Sequence, residues 1–212
     1  MSSAGAKVSS VFITFEGGDG AGKSTQVRML TDWLNAHGQP AVSTEEPGGT
    51  ELGRVLRELI LYGEDMDPRT EALLYAADRA HHIDTVVRPA LAAGKIVVSD
   101  RYFDSSVAYQ GVGRGLGAEW VERLNLWGAH ELKPGLTILL DLDPQRLPER
   151  ITRDLDRLER AGQEFHALTR QAFLDRAAAE PDRFVTIDAA PGIEEVAEAV
   201  RRVVRERLGI SE

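Results

Sequence analysis

The stretch FITFEGGDGAGKSTQVRML, residues 12–30, restricts the fold of this chain more than any other feature of its sequence. An apolar run typical of a buried strand leads into a glycine cluster, which is followed by apolar residues at helical spacing. Gly17, four further residues and then Gly22-Lys23-Ser24 fit the phosphate-loop pattern. Glycines allow backbone N–H groups to surround an anion, and the positive end of the following helix faces the same point. The stretch therefore predicts a strand, a phosphate-binding loop and a helix.

The residues of this loop have distinct roles in binding a nucleoside triphosphate. Lys23 is predicted to neutralise the β and γ phosphates, and Ser24 to offer its hydroxyl to Mg²⁺. Asp100, at the end of a later predicted strand, is a second candidate ligand for the metal. The loop residues predicted to contact the triphosphate are Gly17, Gly18, Asp19, Gly20, Ala21, Gly22, Lys23, Ser24 and Thr25. The alternative is a glycine turn that only packs a strand against a helix.

Short apolar runs alternate with longer helical patterns along the rest of the chain. The runs cover residues 11–15, 95–100, 136–143 and 183–188, with a weaker candidate at 39–46. The helical patterns cover residues 23–38, 193–209 and a long stretch at 67–94 that Pro89 should interrupt. We predict an α/β fold of the P-loop NTPase type, with a doubly wound parallel sheet of about five strands flanked by helices. Ligands of such a sheet bind at the carboxyl ends of its strands.

Composition and charge argue against several kinds of partner. The 212 residues include 25 Lys and Arg against 34 Asp and Glu, and the net charge of -9 disfavours binding to a nucleic acid polymer. The sequence contains no cysteine, and no run approaches the roughly 18 apolar residues of a membrane span. We expect a flexible tail at residues 1–10 without the apolar core of a signal peptide, a single domain at 11–212, and a cytoplasmic location.

The phosphate loop alone does not choose among switch GTPases, motor ATPases and kinases. An Asn-Lys-x-Asp motif, which would read guanine, does not occur in the sequence. A kinase also needs a second pocket for its acceptor. The arginine-rich segment at 144–171 is either a solvated charged helix or a group of cations that reaches a transferred phosphate.

Five stretches, in this order along the chain, resemble the thymidylate kinase family. They are EGGDGAGKST, EEPGGTELGRVLREL at 45–59, LLYAADRAHH at 73–82, VVSDRYFDSSVAYQG at 97–111 and DLDRLE at 154–159. The resemblance extends from about residue 11 to residue 188. It implies a Mg²⁺-dependent kinase that transfers the γ-phosphate of ATP to deoxythymidine monophosphate (dTMP), giving the diphosphate and ADP. It also implies a homodimer, with which the apolar faces of residues 71–91 and 118–130 are compatible.

The resemblance further implies an acceptor pocket. Arg57 and Arg101 would hold the acceptor phosphate, since the forked donors of arginine match phosphate oxygens. Tyr75 would stack on thymine, Arg79 on the same helix face would bond its carbonyl oxygen, and Tyr109 would crowd the 2′ position of the sugar. A surface charge at Arg57 and a plain core residue at Tyr75 are the alternatives. The implied acceptor-binding residues are Glu46, Pro47, Arg57, Tyr75, Arg79, Arg101, Ser105, Ser106, Tyr109 and Gln110.

Catalysis is implied to depend on cations outside the phosphate loop. That loop contains no arginine, as in the bacterial type of the family, in which arginines of a helical lid supply the charge. We place this lid at about residues 144–162, with Arg153 as the first candidate. The implied catalytic residues are Lys23, Arg153, Arg150, Arg157, Asp19 and Arg101, of which Asp19 would lie close to the sugar and phosphate of the acceptor.

Some positions depart from the family pattern or have no assigned role. Glu45 stands where the family often has an arginine, and Pro148 lies early in the predicted lid. Glu16 matches the family without an evident role, and Phe103 and Trp120 are predicted core residues. The alternative functions are a kinase for another nucleoside monophosphate and, from a different class, a nucleotide switch without an acceptor.

Overall fold

The computed structural model describes residues 10–146, 150 and 155–210. Nearly all of the predicted tail lies outside the described residues, as do Pro148 and Arg153 of the predicted lid. Among the described residues, no helix is both long enough and apolar enough to cross a membrane.

A five-stranded parallel sheet forms the centre of the described chain. Its strands are β1 (Phe12–Glu16), β2 (Ala41–Glu45), β3 (Ile96–Asp100), β4 (Leu136–Asp141) and β5 (Phe184–Asp188). They lie in the order β2-β3-β1-β4-β5, and each neighbouring pair is parallel. The predicted sheet is confirmed, including its weaker candidate, β2. β4 ends before residue 143 because Asp143 begins a turn, in which its carboxylate accepts the Gln145 N–H over 2.9 Å.

Helices cover both faces of the sheet, as expected for a doubly wound fold. They are α1 (Lys23–Ala36), α2 (Glu51–Tyr62), α3 (Pro68–His82), α4 (Arg88–Ala92), α5 (Phe103–Ser106), α6 (Ala118–Gly128), α7 (Gln163–Ala179) and α8 (Ile193–Leu208). Leu34 of α1 and Val200 of α8 pack in one apolar core, whereas Phe173 of α7 and Val121 of α6 belong to two others. Short 3₁₀ turns occupy Pro144–Arg146 and Glu159–Ala161.

The long helical pattern at 67–94 does not break at Pro89. A π-helical turn, Ile83–Val87, connects α3 directly to α4. In this wider turn the Arg88 N–H donates to the Ile83 carbonyl, one residue further back than in an α-helix. The wider turn gives room to the proline ring, which would clash with the preceding turn of an α-helix. The predicted interruption is therefore a change of helix type. A second π-helical turn, Val107–Gly113, follows α5.

The two aromatic residues predicted for the core have different environments. Phe103 of α5 is fully buried, with the guanidinium groups of Arg176 and Arg183 at 5.4 and 5.3 Å from its ring centre. Trp120 of α6 is 62% exposed, so its predicted core location is wrong. Helical spacing of apolar residues identifies a face, but it does not show whether that face meets the core or another surface.

Candidate active site

A cavity of about 360 Å³ opens at the carboxyl ends of β1, β2 and β3. Its lining combines the phosphate loop after β1, the turn after β2, the segment after β3 and one face of α3. This is the edge at which an open parallel sheet binds ligands. All ten residues predicted to bind the acceptor line the cavity, together with Ser24 and Asp100. The structure thus brings the predicted donor and acceptor residues to one place.

The phosphate loop has backbone conformations that require glycine. Gly22, immediately before α1, is left-handed with φ of 89°. Gly17 has φ of 135°, and a Cβ at this position would lie 2.3 Å from the carbonyl oxygen of Leu140. Lys23 is buried in the first turn of α1, and its Nζ donates to the Gly18 carbonyl over 2.8 Å. The loop is therefore packed tightly against β4 and holds Lys23 at its centre.

The charge of Lys23 depends on its neighbours. Burial and, second to it, the charge of Arg101 lower the pKa of Lys23 to about 8, although Asp100 and Asp19 oppose this fall. A bound polyphosphate would favour the charged amine in the same way as these two acids. The loop residues that line the cavity are Asp19, Gly20, Gly22, Lys23 and Ser24, and those that do not are Gly17, Gly18, Ala21 and Thr25.

Arg101 lies between the phosphate loop and the part of the cavity lined by the other predicted acceptor residues, which we call the acceptor side. Its backbone is left-handed, with φ of 70°. Its guanidinium donates to the Gly17 carbonyl over 3.1 Å and to the Ser105 hydroxyl over 3.0 Å. The same group pairs with Asp19 and lies 5.2 Å from the ring centre of Tyr109. Arg101 therefore has a fixed place between the two halves of the cavity.

Asp19 is the carboxylate inside the anion-binding loop. The Tyr109 hydroxyl donates to its Oδ2 over 3.0 Å. Burial raises the pKa of Asp19, but Arg101 and Lys23 outweigh burial and hold that pKa below its ordinary value. Asp19 is thus ionised at neutral pH, because it faces the opposite charges that a buried carboxylate requires.

Glu16, whose role the sequence leaves open, holds the segment after β3. It is fully buried, and its carboxylate accepts the Tyr102 N–H over 2.8 Å and the Ser105 hydroxyl over 2.5 Å. Burial and the nearby Asp104 raise the pKa of Glu16 to about 8. Because Ser105 also accepts from Arg101, Glu16 contributes to the position of that arginine.

A buried network fixes Arg79 at the cavity wall. Its Nε donates to Glu46 over 2.7 Å, and its Nη1 donates to Ser106 over 3.1 Å and to the side-chain oxygen of Asn125. The other oxygen of Glu46 lies 2.7 Å from Nδ1 of the buried His82. Arg79 is only 2% exposed, and these hydrogen bonds hold its guanidinium in one orientation.

The acceptor side contains a second arginine, Arg57, on α2. Its Nη1 donates to the Pro47 carbonyl over 2.7 Å and lies 3.5 Å from the carboxylate of Glu45. Glu45, the residue that departs from the family pattern, thus faces an arginine at the cavity. Both side chains are partly exposed, and pairs of this kind contribute about 0–1 kcal/mol to stability.

Tyr75 lies at the boundary between the cavity and the core. It lines the cavity, and it packs with Tyr109 and Leu158 in an apolar cluster. Its 9% exposure fits both the predicted stacking residue and the plain core tyrosine. Its stacking role therefore stays a prediction.

The arginines of the predicted lid differ in location. Arg150 lines the cavity, and its Nη2 donates to the carbonyls of Ala189 and Ala190 over 3.3 and 3.2 Å. Arg153, the first candidate, lies outside the described residues. Arg157 is absent from the described cavity lining: its guanidinium is buried and lies 2.6 Å from Glu71. The catalytic role of each stays a prediction, and the location of Arg157 favours a structural contact instead.

Several residues around the cavity are not among those predicted from the sequence. The unassigned lining residues are Leu61, Asp156, Leu158 and Glu159. The last three belong to the DLDRLE motif, so that motif could have identified them. The supporting residues Asn125 and Glu71 lie on helices without a recognisable local pattern, and only the folded chain brings them to the site.

The residues beside the phosphate loop fit a magnesium ion. The Ser24 hydroxyl and the Asp100 carboxylate line the same cavity, and both are hard oxygen ligands of the kind that Mg²⁺ prefers. Proteins usually bind Mg²⁺ through one or two such side chains together with phosphates of the substrate. These two residues therefore suit an ion shared with a bound polyphosphate.

A phosphate loop between β1 and α1 that opens into an arginine-lined cavity at the same sheet edge is typical of a phosphotransferase of the P-loop NTPase fold. The family model for thymidylate kinase matches residues 15–200. Thymidylate kinases of Clavibacter michiganensis subsp. michiganensis and Bifidobacterium longum are 56% and 49% identical to the chain. These alignments cover 90% and 94% of this chain and 92% and 99% of the relatives. The chain belongs to the thymidylate kinase family.

Proposed function

We propose that this chain transfers the γ-phosphate of ATP to dTMP, giving dTDP and ADP, with Mg²⁺ as the metal. The observation that carries the proposal is a single cavity lined by both the phosphate loop and the ten predicted acceptor residues. A nucleotide switch binds no acceptor, so it would have no ligand for the part of the cavity that the ten predicted acceptor residues line. The cytoplasmic location expected from the sequence stays a prediction.

Phosphoryl transfer requires positioning and charge stabilisation more than covalent chemistry. Lys23 and the N–H groups at the start of α1 bind the donor phosphates. Arg101 and Arg57 bind the acceptor phosphate. The hydrogen bond from Arg101 to the Gly17 carbonyl fixes the position of the acceptor phosphate relative to the donor phosphates. The acceptor oxygen is anionic at neutral pH, so this transfer requires no general base. Ser24 and Asp100 would hold Mg²⁺, which would supply positive charge beside the donor phosphates.

Residues of α3 and of the segment after β3 recognise the base and the sugar of the acceptor. Tyr75 stacks on the base, and Arg79, held by Glu46, donates to a carbonyl oxygen of thymine. Tyr109 lies beside the sugar with its hydroxyl on Asp19. An aromatic ring at the 2′ position favours deoxyribose over ribose.

The test is ADP release from ATP and Mg²⁺ with dTMP, UMP, CMP or GMP added separately, and with a Lys23→Ala variant as control. We expect release that depends on dTMP and falls at least about 100-fold in the variant. Release that depends on another monophosphate would support a nucleoside monophosphate kinase but contradict the proposed roles of Tyr75 and Arg79. Slow release that is indifferent to every acceptor would instead indicate a nucleotide switch.

We also propose that the protein is a homodimer through α2, α3 and α6. On α2 the side chains of Leu52, Val55, Leu59 and Tyr62 form one apolar stripe and are 47–61% exposed. Leu73 of α3 and Trp120 and Trp127 of α6 are 55%, 62% and 78% exposed. Adjacent helices that expose this much large apolar surface are typical of protein interfaces.

The dimer is tested by light scattering on a sizing column. Leu59→Glu places a charge in the centre of the stripe and should give a monomer. Leu168→Glu on α7 is the matched control, because Leu168 is 47% exposed but lies on another helix. A wild-type monomer, or equal behaviour of both variants, contradicts the proposed interface.

A further inference from the structure

Glu71 is a fully buried acid in the first turn of α3. Its carboxylate accepts from three side chains that belong to other segments of the chain. Gln110 Nε2 lies at 2.9 Å, Arg157 Nη1 at 2.6 Å and Arg114 Nη2 at 3.3 Å. Such a carboxylate fixes its partners strongly, since removing it leaves buried donors and a buried cation unpaired.

One partner of Glu71 is a residue of the cavity wall. Gln110 lies on the π-helical turn Val107–Gly113, is 1% exposed and lines the acceptor side of the cavity. Its amide nitrogen donates to Glu71, and because the amide group is planar this bond also sets the direction of its oxygen. Glu71 therefore determines which polar atom Gln110 can present to a ligand.

The second partner fixes another wall of the same cavity. Arg157 donates from Nε to the Ile60 carbonyl over 3.0 Å and from its backbone N–H to the Leu61 carbonyl over 3.2 Å. Its neighbours Asp156 and Leu158 both line the cavity. The Glu71–Arg157 pair thus ties residues 155–161 to the end of α2 and the start of α3.

We propose that Glu71 is a positioning residue for the acceptor. Without lining the described cavity itself, it holds the Gln110 side chain and the 155–161 wall in the geometry that dTMP requires. The phosphate loop is not among the contacts of Glu71. A substitution of Glu71 should therefore weaken the binding of dTMP and leave the binding of ATP unchanged. This inference rests on the proposed function, because dTMP affinity is its readout.

The experiment compares Glu71→Gln with wild type in steady-state kinetics and in calorimetric titration with dTMP. The expected result is a rise of about tenfold in both the KM and the Kd for dTMP, with the KM for ATP changed less than twofold. Asp141→Asn is the matched control: Asp141 forms a two-bond pair with Arg170, at 2.7 and 2.9 Å, and does not line the cavity. It should leave the KM for dTMP unchanged.

A merely structural role would reduce thermal stability and kcat while both KM values stayed at their wild-type levels, and this outcome would overturn the proposal. If Glu71→Gln does not fold, the Glu71→Gln/Arg157→Met double variant provides the test, because it replaces the ion pair with two neutral side chains. The double variant should show the same tenfold rise, and a wild-type KM for dTMP would overturn the proposal. Failure of wild type to use dTMP at all would reject the proposed function instead.

Discussion

Replacing Asp78 with asparagine is expected to stabilise the protein at pH 8. Asp78 of α3 is 1% exposed, and its Oδ1 accepts the Gly48 N–H over 3.3 Å. Its Oδ2 has no hydrogen-bond partner within the described part of the chain. Burial, followed by repulsion from Glu46, raises the pKa of Asp78 from 3.8 to about 6, although Arg79 and His82 oppose this rise. The charged form is therefore unfavourable in the folded protein.

The sign and size of the effect follow from the two pKa values. A carboxyl group whose pKa is higher in the folded state contributes stability below its unfolded pKa, and that contribution is lost as the pH rises through the folded pKa. A difference of about two pKa units corresponds to about 3 kcal/mol, since one unit is about 1.4 kcal/mol. Asparagine keeps the oxygen that faces Gly48 and is never charged. We expect a gain of about 3 kcal/mol at pH 8 and about 1 kcal/mol at pH 4.5.

The assay is urea unfolding of wild type and Asp78→Asn at both pH values and at one protein concentration. For a chain of this size each kcal/mol also corresponds to about 2–4 °C in Tm. Asp84→Asn is the control, because the side chain of Asp84 is 62% exposed and its charge is solvated. A gain that is equal at both pH values, or a loss of stability at pH 8, would refute the reasoning.

Three further substitutions, with Gly18→Ala as a control for one of them, test the geometry of the site. Tyr109→Phe removes the 3.0 Å hydrogen bond to Asp19, and kcat/KM for dTMP should fall about tenfold in initial-rate assays. Gly17→Ala places a Cβ 2.3 Å from a carbonyl of β4 and should lower the free energy of unfolding by at least about 3 kcal/mol, whereas Gly18→Ala, with open space around it, should cost at most about 1 kcal/mol. Glu45→Gln removes a negative charge beside an arginine of the acceptor side, so the KM for dTMP should fall about two- to threefold at low salt and less at high salt. Unchanged kinetics or equal glycine effects would contradict these interpretations.

Local patterns were sufficient to predict the sheet and the position of the cavity. The phosphate loop between a strand and a helix fixes the fold class, because its glycines have backbone conformations that few other residues adopt. Parallel strands bring their carboxyl ends to one edge, so motifs that follow β1, β2 and β3 meet although they are distant in sequence. This geometry explains why Asp19 and Arg101, which the family resemblance assigns to one site, are in contact although they are distant in sequence.

The supporting contacts could not be predicted in this way. Asn125 accepts a hydrogen bond from Arg79, which lies 46 residues away in the sequence. Arg157 pairs with Glu71, but no sequence pattern distinguishes this arginine from the others in its segment. Trp120, predicted for the core, is exposed on α6, and apolar spacing on a helix does not distinguish a core face from an exposed one. Partner choice in buried networks depends on three-dimensional packing, which a single sequence does not contain.

The left-handed backbone of Arg101 carries strain that its side chain offsets. A non-glycine residue at φ of 70° costs about 1–3 kcal/mol, and here its N–H is held to the Phe15 carbonyl over 2.9 Å. Glycine would adopt the same conformation without strain, but it would leave the Asp19 carboxylate without its arginine partner and would remove the donor to the Gly17 carbonyl and the Ser105 hydroxyl. The stability lost with these contacts opposes the strain relieved, so selection for thermostability alone does not favour loss of this arginine.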